Sequence, residues 1–288
     1  MELKKLFVTD LDGTLLNDIR QIAPQDLAAL AGLRRAGVQI AFATGRSDYS
    51  FFQLVKKLND SAPAGNLPVE HIIFSTGAGI MEFPGGRLLK SFSLLPEDVR
   101  IIAGVLDLLA LDYMVHQPVP DTRRFLYCRQ GRARENPDFC RRLKLYSDFA
   151  APLVPGSLGK IRGATEVLCI VPKAHGHEIA DHLVRTLTQF SVIKATSPLD
   201  GQSLWIEIFS PAVSKSQAVQ WLAEEIGVLR QHICAVGNDY NDQDLLHWAG
   251  KSFVVANSPP AMLAHFQAVG SNNEGGVSEA AARWLALI

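Results

Sequence analysis

The chain has 288 residues, which is enough for one large domain or two smaller ones. Apolar residues make up 48% of it and charged residues 20%, which allows a sizeable core and argues against global disorder. A net charge of −1 gives no indication of a nucleic-acid or membrane-surface partner. The N-terminus shows no signal-peptide pattern, no apolar run approaches the ~20 residues of a membrane span, and the 4 cysteines lack C-x-x-C spacing. We therefore expect a cytoplasmic protein with reduced thiols.

Strands and helices alternate in the first part of the chain. Apolar runs predict three buried strands, at Leu6–Thr9, Val38–Ala43 and His71–Phe74. Pro24–Ala36 has a proline near its start and is followed by Gly37, as expected of a helix. A second helix is predicted from the apolar spacing i, i+3, i+4, i+7 of Phe51, Leu54, Val55 and Leu58. This order predicts a parallel sheet with helices on both faces.

The C-terminal part repeats the alternation. Helices are predicted at Val219–Ile226 and Asp242–Ala249, and strands at Ile233–Val236 and Phe253–Val255. Pro259 and Pro260 can open a further helix. These elements extend the same predicted sheet.

The middle of the chain has a different pattern. Helices are predicted around Val99–Leu106 and Ile179–Leu187, and strands at Val167–Val171, Val192–Thr196 and Leu204–Phe209. Residues 123–151 are polar and basic, without clear periodicity. We predict an α/β fold with a Rossmann-like, doubly wound parallel-sheet core formed by residues 1–83 and 209–288. Residues 84–208 are predicted to form an inserted α+β domain.

Two carboxylates follow the first predicted strand, in Asp10-Leu11-Asp12-Gly13-Thr14. Like charges this close disfavour joint ionisation unless a cation or a proton lies between them. A reaction that needs one carboxylate as nucleophile and another as acid/base uses this arrangement. The motif therefore predicts a reaction centre at this strand end.

Three further polar groups are predicted at the same edge of the sheet. Thr44-Gly45-Arg46 follows the second strand, Gly237–Asp242 follows the strand at 233–236, and Lys215 begins a helix. In an open parallel sheet, ligands bind outside the carboxyl ends of the strands. We therefore expect these groups to form one site together with the two carboxylates.

Such a site suits phosphoryl transfer. A carboxylate attacks phosphorus, and a divalent cation neutralises the developing charge. Asp and Asn oxygens favour Mg²⁺ over Zn²⁺. Thr44, the backbone N–H groups after it and Lys215 can hold the phosphate oxygens, while Asp12 can protonate the leaving alkoxide.

In this order the motifs resemble those of the haloacid dehalogenase (HAD) superfamily. Asp10–Thr14 matches its first motif, Thr44 the second, Lys215 the third and Gly237–Asp242 the fourth. The insertion, Val213-Ser214-Lys215 and Glu274–Val277 resemble the Cof-type phosphatase branch, in which the inserted domain is a cap. The resemblance implies that Asp10 is the nucleophile and Asp12 the acid/base, with the Asp12 backbone carbonyl on Mg²⁺. The second aspartate points to phosphate chemistry rather than to dehalogenation.

Two positions depart from the superfamily pattern. The fourth motif usually begins Gly-Asp but reads Gly237-Asn238-Asp239 here, so either Asn238 or Asp239 is the metal ligand. Asp242 is expected to orient Lys215 or a metal-bound water. Thr76, in Ser75-Thr76-Gly77-Ala78, stands where the branch often has the Asn of Asn-Gly-Ala.

The complete set of predicted site residues falls into three groups. The catalytic residues are Asp10, Asp12, Thr44 and Lys215. The phosphate- and substrate-binding residues are Asp12, Gly13, Thr44, Gly45, Arg46, Lys215 and Asn241. The metal ligands are Asp10, Asp12, Asn238, Asp239 and Asp242.

The predicted substrate is a small phosphorylated metabolite, with phosphosugars as the leading class, and neither a nucleic-acid nor a membrane partner is expected. Two alternatives stay open: a phosphotransferase or mutase on the same core, and a non-catalytic sensor of phosphometabolites. A basic segment, residues 123–144, is either a solvated helix face, an anion-steering rim or, with its interleaved aromatic rings, a nucleotide contact. Its cationic residues are Arg123, Arg124, Arg129, Arg132, Arg134, Arg141, Arg142 and Lys144.

Overall fold

A computed structural model describes residues 3–61, 67–130, 136–154 and 156–286. In chain order the strands are β1 Lys5–Thr9, β2 Val38–Ala43, β3 His71–Phe74, β4 Gly79–Glu82, β5 Leu88–Ser91, β6 Tyr113–His116, β7 Phe125–Cys128, β8 Ala150–Pro152, β9 Val167–Val171, β10 Ser191–Thr196, β11 Leu204–Phe209, β12 Ile233–Gly237, β13 Lys251–Val255 and β14 Ala268–Val269. The α-helices are α1 Pro24–Arg35, α2 Asp48–Ser61, α3 Pro96–Leu108, α4 Pro137–Leu145, α5 Lys173–Thr186, α6 Lys215–Ile226, α7 Gln243–Trp248, α8 Pro260–Leu263 and α9 Gly276–Leu285.

The chain divides into two compact units. The first contains Met1–Ser91 and Ser214–Ile288, and the second contains Phe92–Val213. The boundaries predicted for the insertion, 84 and 208, are therefore too early on both sides. The reason is strand pairing: β5 extends the sheet of the first unit through β4, whereas β11 belongs to the sheet of the second.

The first unit is built on an eight-stranded sheet in the order β14-β13-β12-β1-β2-β3-β4-β5. The strands from β14 to β3 pair in parallel, and β4 and β5 add an antiparallel edge. The predicted doubly wound α/β core is confirmed. Because β12, β1 and β2 are adjacent and parallel, their carboxyl ends lie side by side at one edge of the sheet.

Helices cover both faces of this sheet because its strands are apolar on both sides. Leu6 and Val8 of β1 belong to a buried cluster with Leu222 of α6. Phe7 points the other way, and its ring lies 5.9 Å from that of Trp284 in α9. Successive side chains of a strand point to opposite faces, so this short strand anchors both helical layers.

The second unit has a six-stranded sheet in the order β10-β11-β9-β6-β7-β8. Neighbouring strands are antiparallel except β7 and β8, as expected of the predicted α+β insertion. Leu106 of α3 and Leu183 of α5 belong to one buried cluster, and Phe139 of α4 belongs to another with Leu168 of β9.

The segment 123–151, for which the sequence predicted no elements, contains β7, α4 and β8. These elements are short, and in α4 Leu143 and Leu145 alternate with Arg142 and Lys144, so the sequence shows no clear apolar period. The predicted helix Asp242–Ala249 also differs: a short 3₁₀ turn, Tyr240–Asp242, precedes α7. Among the described residues, no helix has the length and apolar character needed to cross a bilayer.

Candidate active site

A buried lysine links the first, third and fourth motifs. Nζ of Lys215 lies 2.7 Å from Oδ1 of Asp10 and 2.6 Å from Oδ1 of Asp242. Asp10 directly follows β1 and Asp242 ends the turn after β12, so the parallel pairing of these strands brings both carboxylates to one ammonium. Lys215 is fully buried, and Asp10 is only 5% exposed. Residues separated by more than 200 positions thus form one ion-pair network.

Lys215 is fixed by the start of α6. Ser214 caps this helix, since its Oγ accepts a hydrogen bond from the backbone N–H of Gln217 at 3.3 Å. A cation is disfavoured at the positive end of a helix dipole. The two carboxylates are therefore what stabilises the Lys215 ammonium at this position.

Burial shifts the ionisation of this network. Loss of solvent raises the pKa of Asp10 to about 7, although Lys215 lowers it, and Asp242 and Asp12 raise it further. Burial alone lowers the pKa of Lys215, but Asp10 and Asp242 hold it above its ordinary value. Two carboxylates around one ammonium leave an excess negative charge, which a divalent cation would stabilise.

Asp12, the second carboxylate of the first motif, is held by Arg46. Nε and Nη2 of Arg46 lie 2.6 Å from Oδ2 and Oδ1 of Asp12, a bidentate ion pair. Nη1 of Arg46 donates to Oγ of Ser50 at 3.1 Å. Arg46 was predicted to bind phosphate, and here its guanidinium holds Asp12. The Asp12 side chain is 35% exposed, much more than that of Asp10.

Thr44 lies at the end of β2, where it is fully buried. Its Oγ1 accepts a hydrogen bond from the Arg46 backbone N–H at 3.0 Å, and its carbonyl oxygen accepts one from the Thr76 N–H at 3.0 Å. Gly45, between Thr44 and Arg46, is exposed. The second motif is thus fixed to the turn after β3.

The fourth motif is organised around Asp242. Oδ2 of Asp242 accepts hydrogen bonds from the backbone N–H groups of Asn238 and Asp239 at 2.9 and 3.1 Å, while its Oδ1 holds Lys215. Asp242 therefore positions Lys215, as predicted, and its place among the metal ligands stays a prediction. Asn241 is half-buried in the same turn.

Asn238 and Asp239 have different surroundings. Oδ1 of Asn238 accepts a hydrogen bond from the Thr14 hydroxyl at 3.2 Å, which ties it to the first motif. Oδ1 of Asp239 accepts one from the Tyr240 N–H at 2.8 Å and caps the turn. Asn238 is thus tied to the first motif and Asp239 to its own turn, and the choice of metal ligand between them stays a prediction.

Gly13 allows the first and fourth motifs to approach each other. Its φ of +77° is in the left-handed region that glycine tolerates. A Cβ at this position would lie 2.5 Å from Nδ2 of Asn238. Any larger residue here would push Asn238 away from the carboxylates.

The donor set fits a hard divalent cation such as Mg²⁺. Asp10, Asp12 and Asn238 offer oxygen atoms at adjacent strand ends, and the buried site carries excess negative charge. In the described ranges no group of three or more His, Cys, Asp or Glu side chains is arranged to hold a metal ion. A cation here would keep water ligands, as Mg²⁺ commonly does and structural Zn²⁺ does not.

Two asparagines that the motifs did not include support the loop after β1. Nδ2 of Asn257 donates to the Gly13 carbonyl at 2.8 Å, and Nδ2 of Asn272 donates to the Leu16 carbonyl at 3.0 Å. Asn257 lies two residues after β13, a strand of the same parallel sheet. The strand-end rule could have identified it from the sequence.

The basic segment 123–144 lies partly outside the described residues, which omit Arg132 and Arg134. In the described part, Arg141 donates to the Leu199 carbonyl at 2.8 Å. Of the rings in this segment, Phe125 and Phe139 are buried in the core, whereas Tyr127 and Tyr146 are half-buried, so the nucleotide contact also stays a prediction. The solvated face and the anion-steering rim stay predictions.

The sequence profile of the haloacid dehalogenase-like hydrolases matches residues 7–280. The HMP-PP phosphatase of Cronobacter sakazakii is 24% identical over 286 residues, which cover 98% of this chain and 96% of that protein. The phosphatase YwpJ of Bacillus subtilis is 22% identical over 308 residues, with coverages of 95% and 97%. Among solved structures, the HAD subclass IIB sugar phosphatase BT4131 superposes with a TM-score of 0.73 at 14% identity, over 99% of this chain and all of that one.

The predicted resemblance to the HAD superfamily and its Cof-type branch is confirmed by these comparisons, as is the predicted class of enzyme. The chain belongs to the haloacid dehalogenase-like hydrolases.

Proposed function

We propose that this protein hydrolyses small phosphate monoesters, with phosphosugars as the leading class, through a phosphorylated Asp10. The observation that carries the proposal is the buried network of Lys215 with Asp10 and Asp242. A buried ammonium that holds one oxygen of a carboxylate leaves the other oxygen to act as nucleophile. The same ammonium can neutralise charge on the transferring phosphoryl group.

The reaction proceeds in two displacements. In the first, the Asp10 oxygen that Lys215 does not hold forms a bond to phosphorus and the ester P–O bond breaks. Asp12, which takes up a proton from solvent when Arg46 releases it to bind phosphate, gives that proton to the departing alkoxide. In the second, Asp12 takes a proton from water, the resulting hydroxide attacks phosphorus, and the P–O bond to Asp10 breaks. Phosphate leaves, Asp10 is again a carboxylate, and Asp12 again carries a proton.

The remaining residues bind and position the substrate. Thr44, whose Oγ1 already accepts from Arg46 N–H, can donate its own proton to a phosphate oxygen. Nε and Nη2 of Arg46 both donate to Asp12, so Arg46 can bind the phosphate only after it releases that carboxylate. Asp10, Asp12 and Asn238 would hold Mg²⁺, which when bound neutralises phosphate charge.

The substrate class rests on the relatives and on the second unit. One solved relative is described as a sugar phosphatase and a sequence relative as an HMP-PP phosphatase. We assign the choice of leaving group to the inserted unit, Phe92–Val213, in the role of the predicted cap. Phosphosugars and HMP-PP are therefore the first compounds to test.

The test is phosphate release from a panel of hexose and pentose phosphates, HMP-PP, nucleotides and p-nitrophenyl phosphate, with Mg²⁺ and with EDTA. We expect Mg²⁺-dependent release that Asp10→Asn abolishes, since an amide is a poor nucleophile. The matched control is Asp181→Asn on the exposed face of α5, which should leave the rate unchanged.

The products distinguish the alternatives. Free phosphate supports a hydrolase, whereas an isomerised phosphosugar without phosphate release would indicate a mutase. Binding of phosphosugar without turnover at saturating Mg²⁺ would indicate a sensor. Full activity in folded Asp10→Asn would remove Asp10 as the nucleophile.

A further inference from the structure

We propose that the turn Ser75–Gly77, after β3, positions Lys215 for catalysis, and that Gly77 is the residue through which it acts. The inference rests on the proposed function, because it concerns the ammonium of that reaction. This turn lies outside the motifs that carry the chemistry. Its backbone contacts the second motif and approaches Ser214, which directly precedes Lys215 of the third motif.

The turn has an unusual backbone. Ser75 and Thr76 have φ values of +46° and +55°, so two successive residues other than glycine are in the left-handed region. For a β-branched residue such as Thr76 this conformation is a genuine outlier. Such a strained conformation persists only where the surroundings impose it.

Backbone hydrogen bonds to the second motif impose this conformation. The Ser75 N–H donates to the Arg46 carbonyl at 2.8 Å, and the Thr76 N–H donates to the Thr44 carbonyl at 3.0 Å. Ser75 and Thr76 are also buried. The turn is therefore fixed to the loop that carries Thr44 and Arg46.

On its other side the turn meets the start of α6. Gly77 has a φ of +110°, and a Cβ there would overlap the carbonyl oxygen of Ser214 and lie 2.9 Å from its carbonyl carbon. The same Cβ would lie 3.2 Å from Cβ of Ala218. Ser214 immediately precedes Lys215, and backbone cannot move aside as a flexible side chain can. Gly77 thus sets how closely the first turn of α6 approaches the sheet.

The consequence concerns the reach of one side chain. Lys215 must place Nζ within hydrogen-bond distance of Asp10 and Asp242 together. A displacement of the start of α6 by about 1 Å would break at least one of these contacts, and misplacements of that size reduce rates by about 100-fold. The turn therefore acts on the reaction as a positioning element.

The test is Gly77→Ala with Gly37→Ala as the matched control. Gly37 also has a positive φ, +78°, but a Cβ there meets nothing within 4 Å, so this variant carries backbone strain without the clash. We expect Gly77→Ala to lower kcat by roughly 10- to 100-fold with little change in KM, and to weaken inhibition by orthovanadate in parallel. Gly37→Ala should leave kcat, KM and the orthovanadate inhibition within about twofold of the parent values.

A second variant covers the case in which Gly77→Ala does not fold. Thr76→Gly relieves the left-handed strain but loosens the turn, so kcat should fall about threefold or more at unchanged KM. Unchanged kcat in folded Gly77→Ala, or in Thr76→Gly, would overturn the inference while the parent enzyme still hydrolyses its substrate. If the parent releases no phosphate from any substrate, it is the proposed function that fails.

Discussion

Asn238 is the residue at which this chain departs most clearly from the expected site chemistry. Its amide oxygen accepts from Thr14, and its Nδ2 faces the Gly13 backbone. In the proposed cation site, the Asn238 amide contributes no negative charge beside Asp10 and Asp12. Asparagine in place of the usual aspartate is therefore expected to change the affinity for a cation more than the geometry of the loop.

Asn238→Asp is expected to tighten Mg²⁺ binding roughly tenfold, or about 1.4 kcal/mol, because it adds a charge at the same position. Isothermal titration with Mg²⁺ and the Mg²⁺ dependence of kcat measure this. Asp239→Asn is the control, since asparagine also caps a turn and the affinity should change little. Weaker binding in Asp239→Asn, with no effect of Asn238→Asp, would make Asp239 the ligand.

A second residue-level feature lies in the other unit, where buried carboxyl groups share one face of the sheet. Loss of solvent raises the pKa of Glu166 to about 8, and Glu207 raises it further, while Arg142 lowers it. His116, whose Nε2 lies 3.9 Å from Oε1 of Glu166, has its pKa lowered to about 3 by burial, so it is neutral at physiological pH. Burial and the neighbouring Glu207 thus favour the protonated form of Glu166.

The stability of the protein should fall as pH rises from about 6.5 through 8. A carboxyl whose pKa is higher in the folded than in the unfolded state stabilises at low pH, and this contribution of a few kcal/mol is lost as it ionises. His116 titrates in the unfolded chain below this window. We expect the free energy of unfolding, measured by chemical denaturation at pH 6.5 and 8.5, to fall less between these pH values in Glu166→Gln than in the parent. A decrease in Glu166→Gln as large as that of the parent would contradict the raised pKa of Glu166. The control is Glu178→Gln, because Glu178 is exposed.

At the scale of elements, adjacent strand ends explain how the site forms. Asp10, Thr44 and the fourth motif each follow one of the parallel strands β1, β2 and β12. The short 3₁₀ turn before α7 then brings Asp242 back over β12, close enough to accept from two backbone amides and from Lys215. The 3₁₀ turn thus fixes the position of the Asp242 carboxylate, which the residue type alone does not determine.

Asp242→Asn tests this role. One end of the amide would present an N–H to groups that all donate, namely Lys215 and the amides of Asn238 and Asp239. Breaking a buried ion pair costs about 3–5 kcal/mol, so we expect a large loss of stability and a fall in kcat of about 100-fold or more. Chemical denaturation and steady-state kinetics measure both.

Asp244→Asn is the matched control for that variant. Asp244 accepts one hydrogen bond, from the Ser216 N–H at 3.0 Å, which an asparagine can also accept. Nearly equal effects of the two variants would mean that Asp242 supports the loop without acting on Lys215.

At the scale of the whole molecule, the chain forms two units, and the first of them is made of two segments that are separated in sequence by the second. The sheet of the first unit is complete only when the chain after Val213 returns to this unit and β12 pairs with β1. The second unit has its own buried clusters, on both faces of its sheet. The match over residues 7–280 spans both units, so family membership is a property of the complete arrangement.

The sequence by itself determined the α/β class, the order of the core elements and the residues at the strand ends. It could do so because apolar periodicity and glycine turns are local, and because parallel strands place their carboxyl ends together whatever the loops do. Asp10, Thr44, Lys215 and the loop from Gly237 were identifiable for this reason.

Only the tertiary structure decided how those side chains pair. Asp242 binds Lys215, Arg46 holds Asp12, and Gly77 meets the backbone of Ser214. The short elements β7 and α4 likewise became visible only in the packed sheet. The physical reason is distance: these contacts join segments far apart in sequence, and ångström-scale packing selects one partner among several of the same charge.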